Sequence, residues 1–520
     1  MLAVLISQVP VGVDGIPIRV EVDLRTGLPG VDIVGLPDCA VREARDRVRV
    51  AIRNSGFRFP PDRILVNLSP AGIRKEGASY DLPIALGILA ASEQVQVDGF
   101  PPFMVVGELN LAGAVLPVSG VLSAVLTGLE HGVELFLVPR ENVPEARALR
   151  RGRIYGISSL AEATRVLGRL AGGGQPAAGD DASAAGPATG PASETADCGD
   201  YADIRGHAML KRALEIAAAG RHHLLLFGPP GSGKTMAARR LPSILPSLSW
   251  EEALAVTRIH SIAGVLPPAS GLIRRPPLRM PHHSASSEGI IGGGKTPRPG
   301  EVSLAHEGVL LLDEAAEFKA SLLQTLREPL EEGSVTIARA GSSVRYPASF
   351  QLVLTTNPCP CGNLGRAQAV CTCSPAEVHS YWHKFGGALL DRVDIRVPLK
   401  PVPARDMDAG AGECSAVMAA RVARAVGIQR DRYRGLPFSR NGRIPPGWVE
   451  KYCGLEQGSA GLLAQAMGQL DLSSRAYHAI LKLARTIADL EESGPIRREH
   501  LLEAIQHRRY GDADLFWSYS

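Results

Sequence analysis

The 520 residues are 45% hydrophobic and 21% charged, close to the ordinary globular share of about 25% charged, so global disorder, collagen and coiled coil are excluded. Lys and Arg number 56 against 53 Asp and Glu, and the resulting net charge of +3 is too small to argue nucleic-acid binding from bulk charge; any such surface has to be local. No apolar run reaches the roughly 18–20 residues that span a bilayer, and four of the eight cysteines crowd into 359–373 rather than spreading as in a secreted disulfide scaffold. The expectation is a soluble, cytoplasmic protein with no membrane partner and roughly three domains.

The start, Met1-Leu2-Ala3-Val4-Leu5-Ile6, has no basic flank before it and reads as a first strand, not a signal peptide. Residues 41–54 suit a helix, with Val41, Ala44, Val48 and Ala51 at three-to-four spacing, and so do residues 81–92. Residues 64–68 and 135–138 are compact apolar strands, which makes 1–170 an α+β unit. Residues 171–196 contain no Leu, Ile, Val or aromatic side chain and cannot bury apolar surface, so 171–200 reads as a flexible linker. A helix at 208–219 and apolar strands at 224–227, 308–312 and 350–356 then indicate a parallel sheet covered on both faces, over 201–400. From about 405 the strands stop, and helices at 411–427, 459–468, 473–490 and 498–507 make 405–511 an all-α unit.

The segment Gly228-Pro229-Pro230-Gly231-Ser232-Gly233-Lys234-Thr235 fits G-x-x-x-x-G-K-[ST] between a strand and a helix. Its glycines let backbone N–H groups turn toward phosphate oxygens, and the helix start adds positive character. Lys234 suits the β- and γ-phosphates of ATP, and the Thr235 hydroxyl suits Mg2+. The strand 308–312 ends in Asp313 and Glu314. Alone that is an ordinary solvated strand end; about 80 residues after a phosphate loop, Asp313 suits the Mg2+ shell and Glu314 the polarising of an attacking water. Asn357 ends the strand 350–356, placed as a γ-phosphate or water sensor, with a turn-forming Asn before Pro358 as the plainer reading.

Four cysteines, Cys359, Cys361, Cys371 and Cys373, form C-x-C-x9-C-x-C. They suit a structural tetrahedral zinc, or else are packed free thiols; the usual arms are C-x2-C, and four thiolates leave no open position for catalysis. Residues 334–346 read as a β-hairpin turning at Ala340-Gly341-Ser342-Ser343. His282-His283 lacks an evident third ligand and reads as polar packing.

At the level of these motifs the chain resembles the magnesium-chelatase-like branch of the AAA+ ATPases, of the competence-protein (ComM/YifB) type. The resemblance rests on residues 228–235, 279–318, 327–341, 355–362 and 389–397 and covers nearly the whole chain. It implies an AAA+ P-loop parallel-sheet core with a C-terminal helical lid, working as a homo-oligomer, a hexameric ring, on branched or single-stranded DNA. Arg392, in Leu389-Leu390-Asp391-Arg392, matches the family's arginine finger, which reaches a neighbouring subunit's nucleotide; an Asp391–Arg392 surface neighbourhood is the alternative. Arg475 matches the lid arginine that senses bound ATP. In similar ATPases a hairpin before the Asn strand enters the pore, which would bring Arg339 and Arg345 to DNA phosphates, with Lys295 and Arg298 a second pair; ordinary solvated charges are the alternative for all four.

Residues 1–170 resemble the Lon-protease-like fold, through 76–81 and 107–142. Ser79 falls where the Lon nucleophile lies, but Leu122 stands where Lon has its lysine, and Lys75 is not at the matching position. The unit is therefore expected to be proteolytically inactive, a collar for ring assembly or DNA contact. The resemblance implies branch migration or helicase activity in recombination or natural transformation. An ATPase subunit of a metal chelatase is a second reading, and an ATP-dependent protease a third.

Overall fold

The computed structural model describes residues 2–97, 99–171, 199–267, 269–294, 296–339, 342–366, 369–401, 412–456, 458–469 and 472–508. The greater part of the linker expected at 171–200 lies outside these residues. The chain divides into two units, one from 1–194 and 250–274, the other from 195–249 and 275–520.

The first unit has a seven-stranded mixed sheet. Its strands are β1 (Leu2–Val11), β2 (Asp14–Arg25), β3 (Gly30–Val34), β4 (Arg63–Ser69), β5 (Phe103–Val105), β6 (Leu135–Pro139) and β7 (Arg153–Ile157). Their order is β3-β4-β2-β1-β5-β6-β7, with β1 and β4 antiparallel to β2 and the remaining pairs parallel. The helix Asp81–Ala91 is apolar on all sides and every one of its residues is buried. The helix Cys39–Asn54 is instead amphipathic, buries Val41, Ala44, Val48, Ala51 and Ile52, and is capped by Asp38, whose Oδ1 accepts from the Val41 N–H at 2.8 Å. The two helices are joined by a forked ion pair, Arg47 Nε and Nη2 to Asp81 at 2.8 and 3.0 Å.

Residues 250–274 were expected within the ATPase core and are built into this first unit. Their helix, Trp250–Ala263, places Ser261 where its Oγ accepts from the Gly120 N–H at 3.0 Å and donates to the buried Glu145 at 2.7 Å. Arg258 pairs with Asp14 at 2.6 Å, and Leu254 packs on the cluster around Met104, Val125 and Phe136. Contiguity along the chain could not anticipate this: Asn142, at 2.6 Å, is a near neighbour of Glu145, but Ser261 is 116 residues away.

The second unit has a five-stranded parallel sheet of β8 (Leu224–Phe227), β9 (Leu278–Arg279), β10 (Val309–Leu312), β13 (Gln351–Thr356) and β14 (Ile395–Pro398), in the order β9-β10-β13-β8-β14. Every residue of β8, β10 and β13 is buried, as continuous apolar runs in a sheet covered on both faces require. A separate hairpin pairs β11 (Ser334–Arg339) with β12 (Ser342–Pro347). Ser342 and Ser343 belong to its second arm, facing Arg339 and Ala338, rather than to the turn.

The last part of the chain is helical: Ser415–Arg432, Pro446–Tyr452, Ser459–Gln469, Ser474–Leu490 and Arg498–Arg508. These helices share one core with the sheet, in which Leu224, Val309, Val353 and Ile395 join Val422, Leu483, Ile487 and Leu501.

Candidate nucleotide site

The sheet order determines the site. β13 lies between β8 and β10, so the loop after β8, the carboxylates after β10 and Asn357 after β13 emerge side by side at the carboxyl edge. The loop turns closely: a Cβ on Gly228 would lie 2.3 Å from the Leu399 carbonyl oxygen, and Gly233 has φ +82°, so both positions require glycine.

The helix Lys234–Arg239 follows directly. Lys234 Nζ donates to the carbonyls of Gly228 at 2.6 Å and Pro229 at 2.9 Å, and to Asn357 Oδ1 at 3.3 Å. Burial lowers the Lys234 ammonium to about 8, against the pull of Asp313 and Glu314. Thr235 Oγ1 donates to Asp313 Oδ1 at 2.7 Å. The Ser232 hydroxyl is buried with no hydrogen-bond partner among the described residues, an unusual state that a phosphate oxygen would relieve. The donor set, one ammonium, two hydroxyls and a carboxylate, suits a nucleoside triphosphate with Mg2+.

Thr355 carries a role that the motifs do not announce. Its hydroxyl donates to Asp313 and accepts from the Glu314 N–H, at 3.2 Å, so a residue of β13 fixes both carboxylate positions at the end of β10. Glu314 itself adopts φ +50°, an uncommon backbone conformation for a non-glycine residue that turns its side chain off the strand direction. The register Leu312↔Leu354 is the signal that could have found Thr355.

Arg392 and Arg475 are gathered elsewhere in this unit. Both guanidiniums pair with Glu331, Arg475 Nη1 at 3.3 Å and Arg392 through Nη2, and Arg392 also donates to the Ala388 carbonyl. Arg392 is 7% exposed, and burial together with Arg475 and Arg327 lowers its guanidinium to about 10. Asp391 is not the partner of Arg392: it accepts from Arg508 at 2.9 Å and Ser473 at 3.0 Å. Glu331 lies three residues before β11, a connection absent from the motif reading.

Of the basic candidates, Arg298 is exposed on the strand pair Gly292–Gly293/Arg298–Pro299. Arg345 is exposed on β12, opposite Thr336, with its Nε 2.9 Å from Ser334 Oγ. Lys295 and the Arg339 side chain lie outside the described residues. The rings of His282 and His283 lie 4.0 Å apart, and His282 Nδ1 is 2.8 Å from Ser284 Oγ.

The four cysteine sulfurs lie within 4.8 Å of one another, a set fit for one metal ion. Cys359 is buried, which pushes its thiol up to about 12, while the backbone N–H of Asn363 draws the Cys361 thiol down to about 6.

Known protein families match all three stretches of the chain: magnesium chelatase subunit ChlI over 200–407, subunit ChlI of Mg-chelatase over 20–142, and the ChlI C-terminal family over 412–508. The chain is 41% identical to uncharacterized protein YifB of Salmonella typhimurium, across 98% of this chain and 97% of the relative. It is 39% identical to competence protein ComM of Haemophilus influenzae, again across 98% and 97%. The 38 kDa magnesium-chelatase subunit of Rhodobacter capsulatus is 30% identical over 30% of this chain and 50% of its own length. No helix among the described residues is long and apolar enough to cross a membrane. The parallel-sheet core, the phosphate loop and full-length identity near 40% agree: this chain belongs to the magnesium-chelatase-like AAA+ family of the ComM/YifB type, a membership that implies ATPase chemistry.

Proposed function

We propose that the protein is an ATP-hydrolysing ring motor that works on branched or single-stranded DNA, a branch-migration helicase of recombination or natural transformation. The observation that carries this reading is the bonded constellation Lys234–Asn357 and Thr235–Asp313–Thr355 at the carboxyl edge of one parallel sheet. Lys234 neutralises the β- and γ-phosphates, Thr235 and Asp313 would hold Mg2+, and Glu314 takes the proton of the attacking water. Mg2+, when bound, supplies further charge neutralisation at the phosphate oxygens. Arg392 serves the nucleotide of a neighbouring copy in a hexameric ring, and Arg475 on the helical lid responds to bound ATP. The β11–β12 hairpin, with Arg339 and Arg345, and the loop with Lys295 and Arg298 contact DNA phosphates. Structural zinc at the four cysteines belongs to the same reading.

The choice of DNA as substrate follows the similarity to the competence protein, which spans 98% of this chain. A chelatase subunit is less well supported, because the chelatase relative matches only 30% of it. A protease is least supported. In a Lon-like first unit, Ser79 lines a cavity of about 200 Å³ whose titratable side chains are Glu76 and Glu108. Leu122 is fully buried, and Lys75 is turned to the Pro70 carbonyl, so neither position offers the serine a lysine base. The test is ATP turnover with branched DNA, with casein, and with protoporphyrin plus a chelatase partner. Stimulation by branched DNA is expected; stimulation by the tetrapyrrole mixture alone would overturn the motor reading.

A further inference from the structure

The cysteine arms are built into the nucleotide site. Cys359 follows Asn357 by two residues, so the first arm begins where β13 ends. The second arm runs into the helix Pro375–His383, whose start is fixed by a capping box between Ser374 and Glu377. That helix reaches back to the first arm. Trp382 Nε1 donates to the Pro358 carbonyl at 3.0 Å, and the Tyr381 hydroxyl lies 2.9 Å from Thr356 Oγ1. Trp382 also stands edge-on to Phe227, the last residue before the phosphate loop, at 5.6 Å.

The sulfurs have the spacing of a single tetrahedral ion. A tetrahedron of Zn–S bonds near 2.3 Å has sulfurs about 3.8 Å apart. The measured separations are 3.4 Å for Cys359–Cys361, 3.7 Å for Cys359–Cys371 and 3.6 Å for Cys361–Cys371. These are too long for a disulfide, near 2.05 Å. Four soft thiolates with no further ligand position suit a structural zinc.

Between these arms and the phosphate loop lies one close contact. Gly362, at φ +75°, would carry a Cβ 3.0 Å from both Cδ and Cγ of Pro230. The backbone after Cys361 therefore rests on the proline ring in the middle of the phosphate loop, with Asn357 on the same segment.

We propose that Cys359, Cys361, Cys371 and Cys373 hold one zinc ion whose role is to clamp the 358–362 segment onto Pro230, keeping the phosphate loop and Asn357 in register for ATP. This rests on the structural-zinc reading above and assigns that zinc a task. The ion performs no chemistry on the nucleotide; binding it forms four Zn–S bonds, and each cysteine still protonated gives up its S–H proton to solvent. Loss of the ion leaves the thiolates without their common partner and frees the segment from the loop.

The test uses the full-length protein purified without added metal. Elemental analysis is expected to give one zinc per chain; no metal, or iron with visible absorption, overturns the assignment. Cys371→Ser with Cys373→Ser should lose the ion and weaken binding of a fluorescent ATP analogue about tenfold, within the range typical of losing support around a metal site. Should that variant fail to fold, zinc release from the wild-type chain by an organomercurial, read with a chromophoric chelator, takes its place: Mg-ATP should slow release, and unchanged release overturns the clamp. Gly362→Ala separates the two parts, since it should keep zinc yet bind nucleotide more weakly. If Gly362→Ala binds as wild type, the clamp is wrong while the zinc stands. A zinc-free protein that still hydrolyses ATP removes the zinc and leaves the ATPase reading intact.

Discussion

Lys234, Thr235, Asp313, Thr355 and Asn357 are fixed to one another at the ends of three adjacent parallel strands. Arg392 and Arg475, by contrast, meet at a single half-exposed carboxylate, Glu331. The first group is set by sheet register, with each side chain held by at least one other member. The second group is two like charges kept together by a counter-ion that solvent reaches. Strand register gives a geometry that persists whatever is bound. A shared surface carboxylate gives one that can be exchanged for another anion, as an arginine serving a neighbour's γ-phosphate requires.

The contrast can be broken most severely at Lys234. Lys234→Ala should abolish nucleotide binding, read by titration with a fluorescent ATP analogue; binding within a few-fold of wild type would remove the phosphate-loop assignment. If Arg392 serves a neighbour's nucleotide as proposed, Arg392→Ala should leave binding within about twofold but lower turnover on the order of 10³-fold, the range of arginine fingers. Normal turnover by an Arg392→Ala monomer would sink the interface role. Glu314→Gln should slow hydrolysis on the order of 10²-fold while ATP stays bound, measured by retention of labelled ATP on the assembled protein.

Two smaller effects sharpen the same comparison. Burial disfavours the Lys234 ammonium and brings it down to about 8 in the free protein, so part of its charge is lost as the pH rises through about 7 to 9. Phosphate binding needs that charge, so affinity should be flat up to about pH 7, roughly halved near pH 8, and then fall toward tenfold per pH unit at most. Calorimetry in buffers of different ionisation enthalpy should show proton uptake on binding above pH 8, and none would contradict the assigned charge state. Glu331→Gln should cost about 1–3 kcal/mol, since the carboxylate is partly solvated but the Arg392 it pairs is buried beside Arg475 and Arg327. A much larger cost, read from a melting curve, would mean that the arginine pair is a structural lock rather than an exchangeable one.

What could be read in advance follows the locality of the signal. The phosphate loop, Asp313-Glu314 and Asn357 each announce themselves within a few residues, and the continuous apolar runs of β8, β10 and β13 declare buried parallel strands. Thr355 and Glu331 do not, because their meaning arises only when one strand or helix is laid against another. The helix Pro446–Tyr452 is not among the helices the periodicity predicts, although a proline suits its first position. The clustering of four cysteines leaves zinc and packed thiols both open, and the approach of Gly362 to Pro230 is a tertiary fact.

The helix Trp250–Ala263 has a practical consequence for anyone dividing this protein. A piece ending at residue 170 would lack the acceptor of the Gly120 N–H and one of the donors to the buried Glu145, which would keep Asn142 as a partner. The reverse also holds. Residues 1–170 and 200–520 produced as two separate chains should still migrate as one particle in native buffer, because the downstream chain carries the helix that completes the upstream unit.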